Sequence, residues 1–466
     1  MGLLISTLLL LSTLTEPVSA QKINWEEVTE ETIQHFVTLL KIDTRNPPGN
    51  ETKVAKYLQE VLHSEGIHSE LFALEPSRAN LIARLKGDGS KRPLLVMGHT
   101  DVVGVQEERW SVDPFAAVRK DGFIYGRGSL DDKDNVTASL MVMLMLKRLN
   151  VPLTRDVIFL AEAGEEATPH VGIDFLVEHH WDKLDSEYCL AEGGFVSVAE
   201  DRVRYVAIAT TEKVPGRARL IAHGTAGHGS IPRKDNAVSK LSRAVARIAA
   251  WQPPMRLNDT TREYFERLSG LSTEEDAFRY RHLANPDKRR QIESYLATHE
   301  PFHNSMLRTS VVPTMLDAGF RINVIPSQAE AGIDIRAVPD ESITEFYDDL
   351  LGVVNDPDVE LIPLPRSRPP APPSEMDNDM FRALEKVTKR LYPDAVTLPI
   401  MLTGATDMAQ IRSKGVQAYG FGPIRNSEDF AAGRGAHGDD ERISENALAE
   451  LVQFLWYAVL EIATEN

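Results

Sequence analysis

Cysteine is almost missing from this chain: Cys189 is the single one in 466 residues. No intramolecular disulfide can form, so a chain this long must rely on its core. In Tyr188-Cys189-Leu190-Ala191 that residue reads as a small buried hydrophobe. Positive charge is also short. Lys and Arg number 51 against 69 Asp and Glu, a formal net charge of −18. The basic footprint of a nucleic-acid binder is absent, which argues against that partner. Long apolar runs are scarce too. Outside residues 1–20 no stretch reads as long and apolar enough to span a bilayer, so no stable membrane insertion is expected of the mature chain.

Residues 1–20 are a unit of their own. Leu3–Leu11 is apolar apart from two hydroxyls, and Val18-Ser19-Ala20 offers a small-x-small cleavage pattern. This reads as a signal peptide, although Lys and Arg are missing from its start. A secreted or periplasmic location follows as an expectation. The whole chain is 42% hydrophobic and 26% charged, ordinary for a soluble enzyme, and its length predicts two domains.

The stretch Leu94–Asp101, LLVMGHTD, organises the reading. A short apolar run after Pro93, closed by Gly98, predicts a buried parallel strand. Ligands collect at the carboxyl ends of such strands. There stand His99 and Asp101, two apart and so on one face of extended backbone. The pattern recurs. Asp131 and Asp132 follow a short strand at Gly122–Tyr125. Glu165 and Glu166 follow a strand at Asp156–Ala161, and Glu192 follows one at Tyr188–Ala191. His437 stands late in the chain. Helices are predicted between them at Trp25–Leu40, Glu51–Glu65, Asn135–Leu149 and Gly172–His179. Each cluster alone has an ordinary reading: Asp131-Asp132 as a helix cap, Glu165-Glu166 as solvated loop charge. Together they predict a cation site, because crowded carboxylates need a cation or a proton.

The fold class expected is α/β: a mostly parallel-sheet catalytic domain with helices on both faces, plus an inserted α+β lid/dimerisation domain with an antiparallel sheet. The boundaries read as 1–20 signal peptide, 21–212 first part of the catalytic domain, 213–365 inserted domain and 366–466 second part. Within the insert, strands are expected at Arg217–His223, Thr309–Leu316, Ala318–Val324, Ala329–Ala337 and Val359–Leu364. Helices are expected at Asn236–Ala250 and Ile343–Val354, and residues 253–308 read as mostly helical. The proline-rich stretch 366–373 leads back, with a helix at Phe381–Leu391, a strand at Gln417–Gly422 and a helix at Asn446–Ile462 to follow.

Imidazole and carboxylate donors without thiolate suit zinc, cobalt or manganese. Two ions sharing a carboxylate need two terminal ligands apiece, a count that two His and three carboxylates meet with one carboxylate to spare as general base.

HTDVV, GRGSLDDK, EAGEE, LAEGG, AGHGSIP, FRINVIP and the late HG resemble the M20 metallopeptidases, and within them the carboxypeptidase S and secreted N-acyl-amino-acid hydrolase branch. The resemblance runs from about Trp25 to the C-terminus. It implies that His99, Asp131 and Glu192 hold one ion, that Asp131 bridges, and that Glu166 and His437 complete the second. It implies that Asp101 orients His99 and that Glu165 is the general base. It further implies that His228 polarises the scissile carbonyl from a partner subunit, and that Asn323, Arg336 and Gly404 bind substrate, Arg336 gripping a free carboxylate. The cofactors implied are two divalent ions, zinc foremost, with cobalt or manganese as alternatives. The activity implied is hydrolysis of an amide next to a free α-carboxylate, on a peptide or an N-acyl-amino acid, by a homodimer formed through the insert. The competing readings are an aminoacylase-type hydrolase and a non-catalytic binding protein of the same fold. Two features depart from the family pattern: Asp134-Asn135 after Lys133, and Thr168-Pro169-His170 after the Glu pair.

Overall fold

The computed structural model describes residues 23–200, 202–365 and 368–465. The signal-like residues 1–20 and the first two residues of the proline-rich stretch lie outside the described residues. In the first half of the chain the strands are β1 (Ser69–Phe72), β2 (Asn80–Leu85), β3 (Leu94–His99), β4 (Val118–Lys120), β5 (Phe123–Tyr125), β6 (Val157–Glu162), β7 (Tyr188–Ala191), β8 (Phe195–Ala199) and β9 (Arg202–Glu212). A second group follows: β10 (Val214–His223), β11 (Gly227–His228), β12 (Ser310–Ala318), β13 (Val324–Ile325), β14 (Gln328–Ala337) and β15 (Val359–Pro363). The chain ends with β16 (Val396–Leu402), β17 (Gln417–Gly420), β18 (Ile424–Arg425) and β19 (Arg442–Ser444).

Ten strands form one sheet in the order β1-β2-β6-β3-β7-β17-β9-β8-β18, with β16 paired to β9. Its middle, β6-β3-β7-β17, is parallel. Every residue of β3 and β6 is buried. Period-2 alternation sends Leu94 and Val96 to one face and Leu95 and Met97 to the other, and each face has its own core. Helices Thr52–Ser64, Lys133–Arg148, Asp379–Leu391 and Glu445–Ala463 cover the first face. Helices Ile173–His179 and Met408–Ser413 cover the second, where Cys189 is fully buried as a core residue. Lys133–Arg148 is buried from Lys133 to Leu146, the mark of a helix enclosed on all sides. Glu445–Ala463 is 19 residues long with mean hydropathy 1.2, so by length and composition this stretch does reach what a membrane span needs, contrary to the sequence reading. It packs on Lys133–Arg148 and Asp379–Leu391 as a core helix.

The chain leaves this sheet after β9 and returns at β16. In between lies a separate antiparallel sheet, β12-β14-β10-β15, with helices Ala237–Ala250 and Ile343–Val354 packed on it. The α/β class with a mostly parallel sheet and an additional antiparallel one is therefore the observed architecture. Helices between Asp259 and Met306 behave differently. They bury Tyr264, Phe265 and Leu296 against Leu398 and Ile400 of β16, so this part of the excursion covers the large sheet. The strand expected at Ala318–Val324 is not formed. β12 runs on to Ala318, Gly319 turns with φ +74, and only Val324–Ile325 is extended, paired with Gly227–His228. The sequence reading placed no strand at β8, β9 or β16, nor at the short β4, β11, β18 and β19.

Gly194 follows the third of those polar ends. A Cβ there would stand 2.4 Å from the Ala207 carbonyl oxygen and 2.6 Å from that of Gly420. Both are backbone atoms of the sheet and cannot turn aside. Gly194→Ala is expected to destabilise the fold by about 1–3 kcal/mol through overpacking, read as a lowered midpoint in chemical denaturation.

Candidate active site

β3, β6 and β7 run side by side, so their polar carboxyl ends meet. His99 ends β3. Its Nδ1 donates to the Asp101 backbone oxygen at 3.0 Å, and its Nε2 faces Asp131 Oδ1 at 2.9 Å. The other Asp131 oxygen, Oδ2, is 3.0 Å from His437 Nε2, which is also 3.0 Å from Glu166 Oε1. Asp131 thus stands between two imidazoles. Donor atoms of His99, Asp131 and Glu166 lie within 4.8 Å of one another, and so do those of His99, Glu165 and Glu192.

Asp132, the neighbour passed over as a ligand, points elsewhere. Its Oδ2 accepts from the His99 backbone N–H at 3.2 Å and its Oδ1 from Asn135 at 2.6 Å. Although Asp132 precedes the helix Lys133–Arg148, its side chain makes no capping bond. Asp101 is fully buried, and its carboxylate is mainly a hub for the next loop. It accepts the backbone N–H groups of Gly164, Glu165 and Glu166 at 3.0–3.1 Å and Asn46 Nδ2 at 2.8 Å. Its contact to His99 Nδ1 is longer, 3.5 Å. The backbone carbonyl of Asp101 therefore fixes the His99 ring more closely than its side chain does.

Electrostatics follow from this crowding. Burial pushes the Glu192 carboxyl well up, with Asp132 and Asp131 adding repulsion. Burial likewise raises Glu165 to about 7, against the opposing pull of Arg368 and His99. Hydrogen bonds to Asp131 and then Glu166 raise His437 to about 10. For His99, burial lowers the pKa, but the Asp101 and Asp131 carboxylates outweigh it and hold the ring charged. Without a cation the cluster keeps protons to offset its own charge. That is the behaviour of a donor set matched to positive charge, and its imidazoles and carboxylates suit divalent ions of the zinc and manganese kind.

Several supporting residues were not legible as site residues. Arg368, buried at 7% exposure, pairs with the Glu165 and Asp407 carboxylates, and its Nη2 donates to the Glu165 backbone oxygen at 3.2 Å. Arg127 pairs with buried Glu441, which also accepts the Leu130 N–H at 2.8 Å and so anchors the loop carrying Asp131. Asn46 and Arg78 both donate to Thr168 Oγ1, at 2.9 and 3.0 Å, so the departing residue Thr168 is tied into the support. His170 is exposed.

The other four expected site residues have different partners. His228 and Asn323 are neighbours: β11 pairs with β13, and the Gly229 N–H donates to the Asn323 oxygen at 2.8 Å. His228 is exposed, with Nδ1 2.7 Å from the Ser230 hydroxyl. Arg336 lies on β14, its Nε donating to Asp334 at 3.0 Å. Gly404 is exposed in the loop after β16. Among the described residues none of these four bonds to the imidazole–carboxylate cluster.

A family-wide sequence model described as peptidase family M20/M25/M40 matches residues 95–461. The human N-fatty-acyl-amino acid synthase/hydrolase PM20D1 is 29% identical over 409 residues, covering 86% of this chain and 78% of the relative. Among solved structures, the M20 family metallo-carboxypeptidase Sso-CP2 from Sulfolobus solfataricus superposes with TM-score 0.69 at 19% identity, over 93% of this chain and 99% of that one. A protein described as a dinuclear metal binding peptidase from M20 family, from Bacillus subtilis, gives TM-score 0.60 at 14% identity over 93% and 98%.

A divalent ion that bound His99 and His437 through their ring nitrogens would displace the protons those rings hold. Apparent affinity for Mn²⁺ or Zn²⁺ is expected to rise from pH 7 towards pH 10, about tenfold per unit for each proton released. Isothermal titration in buffers of different ionisation enthalpy measures those protons. The sign for the metal-free fold is opposite. A raised histidine pKa contributes stability that is full below the unfolded value of about 6.5 and is lost as pH climbs through about 10.

Proposed function

The chain belongs to peptidase family M20/M25/M40, and from that membership and its site we propose that it is a dinuclear metal-dependent hydrolase of amides next to a free α-carboxylate. The observation that carries this reading is Asp131, set between His99 and His437, with Glu166 and Glu192 in reach. His99, Asp131 and Glu192 would hold one ion, and Asp131, Glu166 and His437 the other. Zinc is proposed first, with cobalt or manganese as alternatives. Bound ions of this kind polarise a scissile carbonyl and acidify a water.

Glu165 does the proton work. Its carboxylate takes a proton from the attacking water and passes it to the leaving amine nitrogen, and a carboxyl tuned close to neutrality suits both directions. Arg368 and the Asp101-braced backbone keep that carboxylate in place. His228 donates to the carbonyl oxygen as charge develops there. Arg336 grips the substrate carboxylate, with Asn323 and Gly404 beside the bound chain.

His228 is proposed to act in a partner subunit's site, and the surface around it supports a homodimer through residues 213–365. Phe320 is 84% exposed, Ile322 fully so, and Met315, Leu316 and Ile231 add to the patch. A patch of this kind marks an interface. The signal-like residues 1–20 support export, to a secreted or periplasmic location.

The substrate is proposed to be a peptide cleaved at its carboxyl end. The alternative, an N-acyl-amino acid, is favoured by likeness to the human N-fatty-acyl-amino acid synthase/hydrolase. A panel of dipeptides and N-acyl-amino acids, assayed with each metal, separates the two. Glu165→Gln is expected to lower kcat by roughly 10²–10⁴-fold with metal content unchanged by elemental analysis. Wild-type turnover in that variant would sink the general-base role. Phe320→Asp with Ile322→Asp is expected to give a monomer by light scattering and to lower kcat about 10²-fold, the scale of one lost oxyanion donor.

A further inference from the structure

Asp131 and Glu192 also line a chamber of about 680 Å³. Phe123, Leu130, Val198 and Phe421 give it apolar walls. This volume lies in the range of pockets that enclose drug-sized ligands, so it exceeds what a single small substituent fills. Two arginines line the chamber as well, Arg442 and Arg425. Arg442 is neutralised. Its Nε and Nη2 donate to Asp429 at 3.1 and 2.5 Å, its Nη1 donates to the Tyr125 hydroxyl at 2.5 Å, and its guanidinium lies 3.9 Å from the centre of the Phe123 ring.

Arg425 has no such partners. Its guanidinium lies over the Phe195 ring at 4.0 Å, but among the described residues no carboxylate is within ion-pair distance and no acceptor takes a hydrogen bond from it. The residue is exposed, and it lines the chamber. Protein nevertheless crowds the guanidinium enough for burial to push its pKa down. A permanently charged group in that position gains most from an anion brought by a ligand.

We propose that Arg425 receives a carboxylate at the far end of the substrate's acyl half. The chemical class is an acyl group with an apolar stem and an acidic terminus, either a dicarboxylic acyl group or an acidic amino-terminal residue. This rests on the hydrolase reading above: Arg336 engages the carboxylate of the leaving amino acid, which leaves the chamber beside Asp131 and Glu192 for the acyl side. The four apolar walls hold the stem, and Arg425 selects its end.

The test uses N-glutaryl and N-valeryl derivatives of one amino acid, equal in chain length and different in terminal charge. They are assayed on metal-loaded wild type, Arg425→Met and Arg425→Lys. Wild type is expected to favour the glutaryl substrate by roughly tenfold or more in kcat/KM, chiefly through KM. In Arg425→Met that ratio should fall to near one, and Arg425→Lys should keep part of it. A wild-type ratio near one, or an unchanged ratio in Arg425→Met, overturns the assignment. Titration of glutarate into wild type and Arg425→Met gives a readout independent of turnover. Weaker binding to the variant supports the subsite, and equal binding overturns it. Arg425-dependent glutarate binding with no hydrolysis of any amide would overturn the hydrolase reading and leave the anion subsite standing. Hydrolysis without charge preference would do the reverse.

Discussion

Negative charge gathered at the carboxyl ends of three parallel strands constrains everything around it. Asp131, Glu165, Glu166 and Glu192 stand half-buried beside fully buried His99. Carboxylates so placed repel one another at low dielectric, and each would rather hold a proton or a cation. The raised pKa values of Glu165 and Glu192 and the charged state of His99 are the metal-free answer to that repulsion. Two divalent ions would be a stronger answer. They would remove the need for protons on the ligands and leave Glu165 as the group free to move one.

Such a cluster needs rigid backing, and its supports are ion pairs and backbone bonds buried behind it. Asp101 collects three successive N–H groups and so sets where Glu165 and Glu166 emerge. Arg127 with Glu441 does the same for the loop before Asp131. Arg368 pairs with both Glu165 and Asp407. Removing one member of a buried pair would strand the other's charge, so these residues are coupled to the site without being ligands. The large sheet supplies the other support. β3 and β6 are buried from end to end, which fixes the positions from which the polar ends project.

The excursion between β9 and β16 divides its work. Helices between Asp259 and Met306 thicken the large sheet, whereas β10, β12, β14 and β15 form a surface of their own. His228 and Asn323 sit together beside exposed Phe320 and Ile322. An exposed imidazole flanked by apolar side chains suits a group that completes its surroundings against a second surface.

Local pattern determined a good deal. Tyr188–Ala191, Trp25–Leu40 and Ile343–Val354 have the bounds their periodicity predicts. The polar clusters after β3, β6 and β7 were legible because an apolar run that stops abruptly at an acid or histidine leaves a mark within a few residues. Family membership was legible from the same motifs. Pairings across long separations left no such mark. Asp101 with Asn46, Arg127 with Glu441 and Arg368 with Glu165 join residues 55, 314 and 203 positions apart. In sequence Arg368 is one arginine in a proline-rich stretch, and Asn46 stands beside two prolines. Only the fold makes them partners, because burial and direction decide whether a charged side chain is solvated or must find a counter-charge. The same holds for Arg425, whose lack of a partner becomes meaningful once the chamber around it exists. Periodicity and strand-end chemistry act over neighbouring residues and are written in the sequence. Desolvation and charge pairing act through space, and the tertiary structure alone decided them.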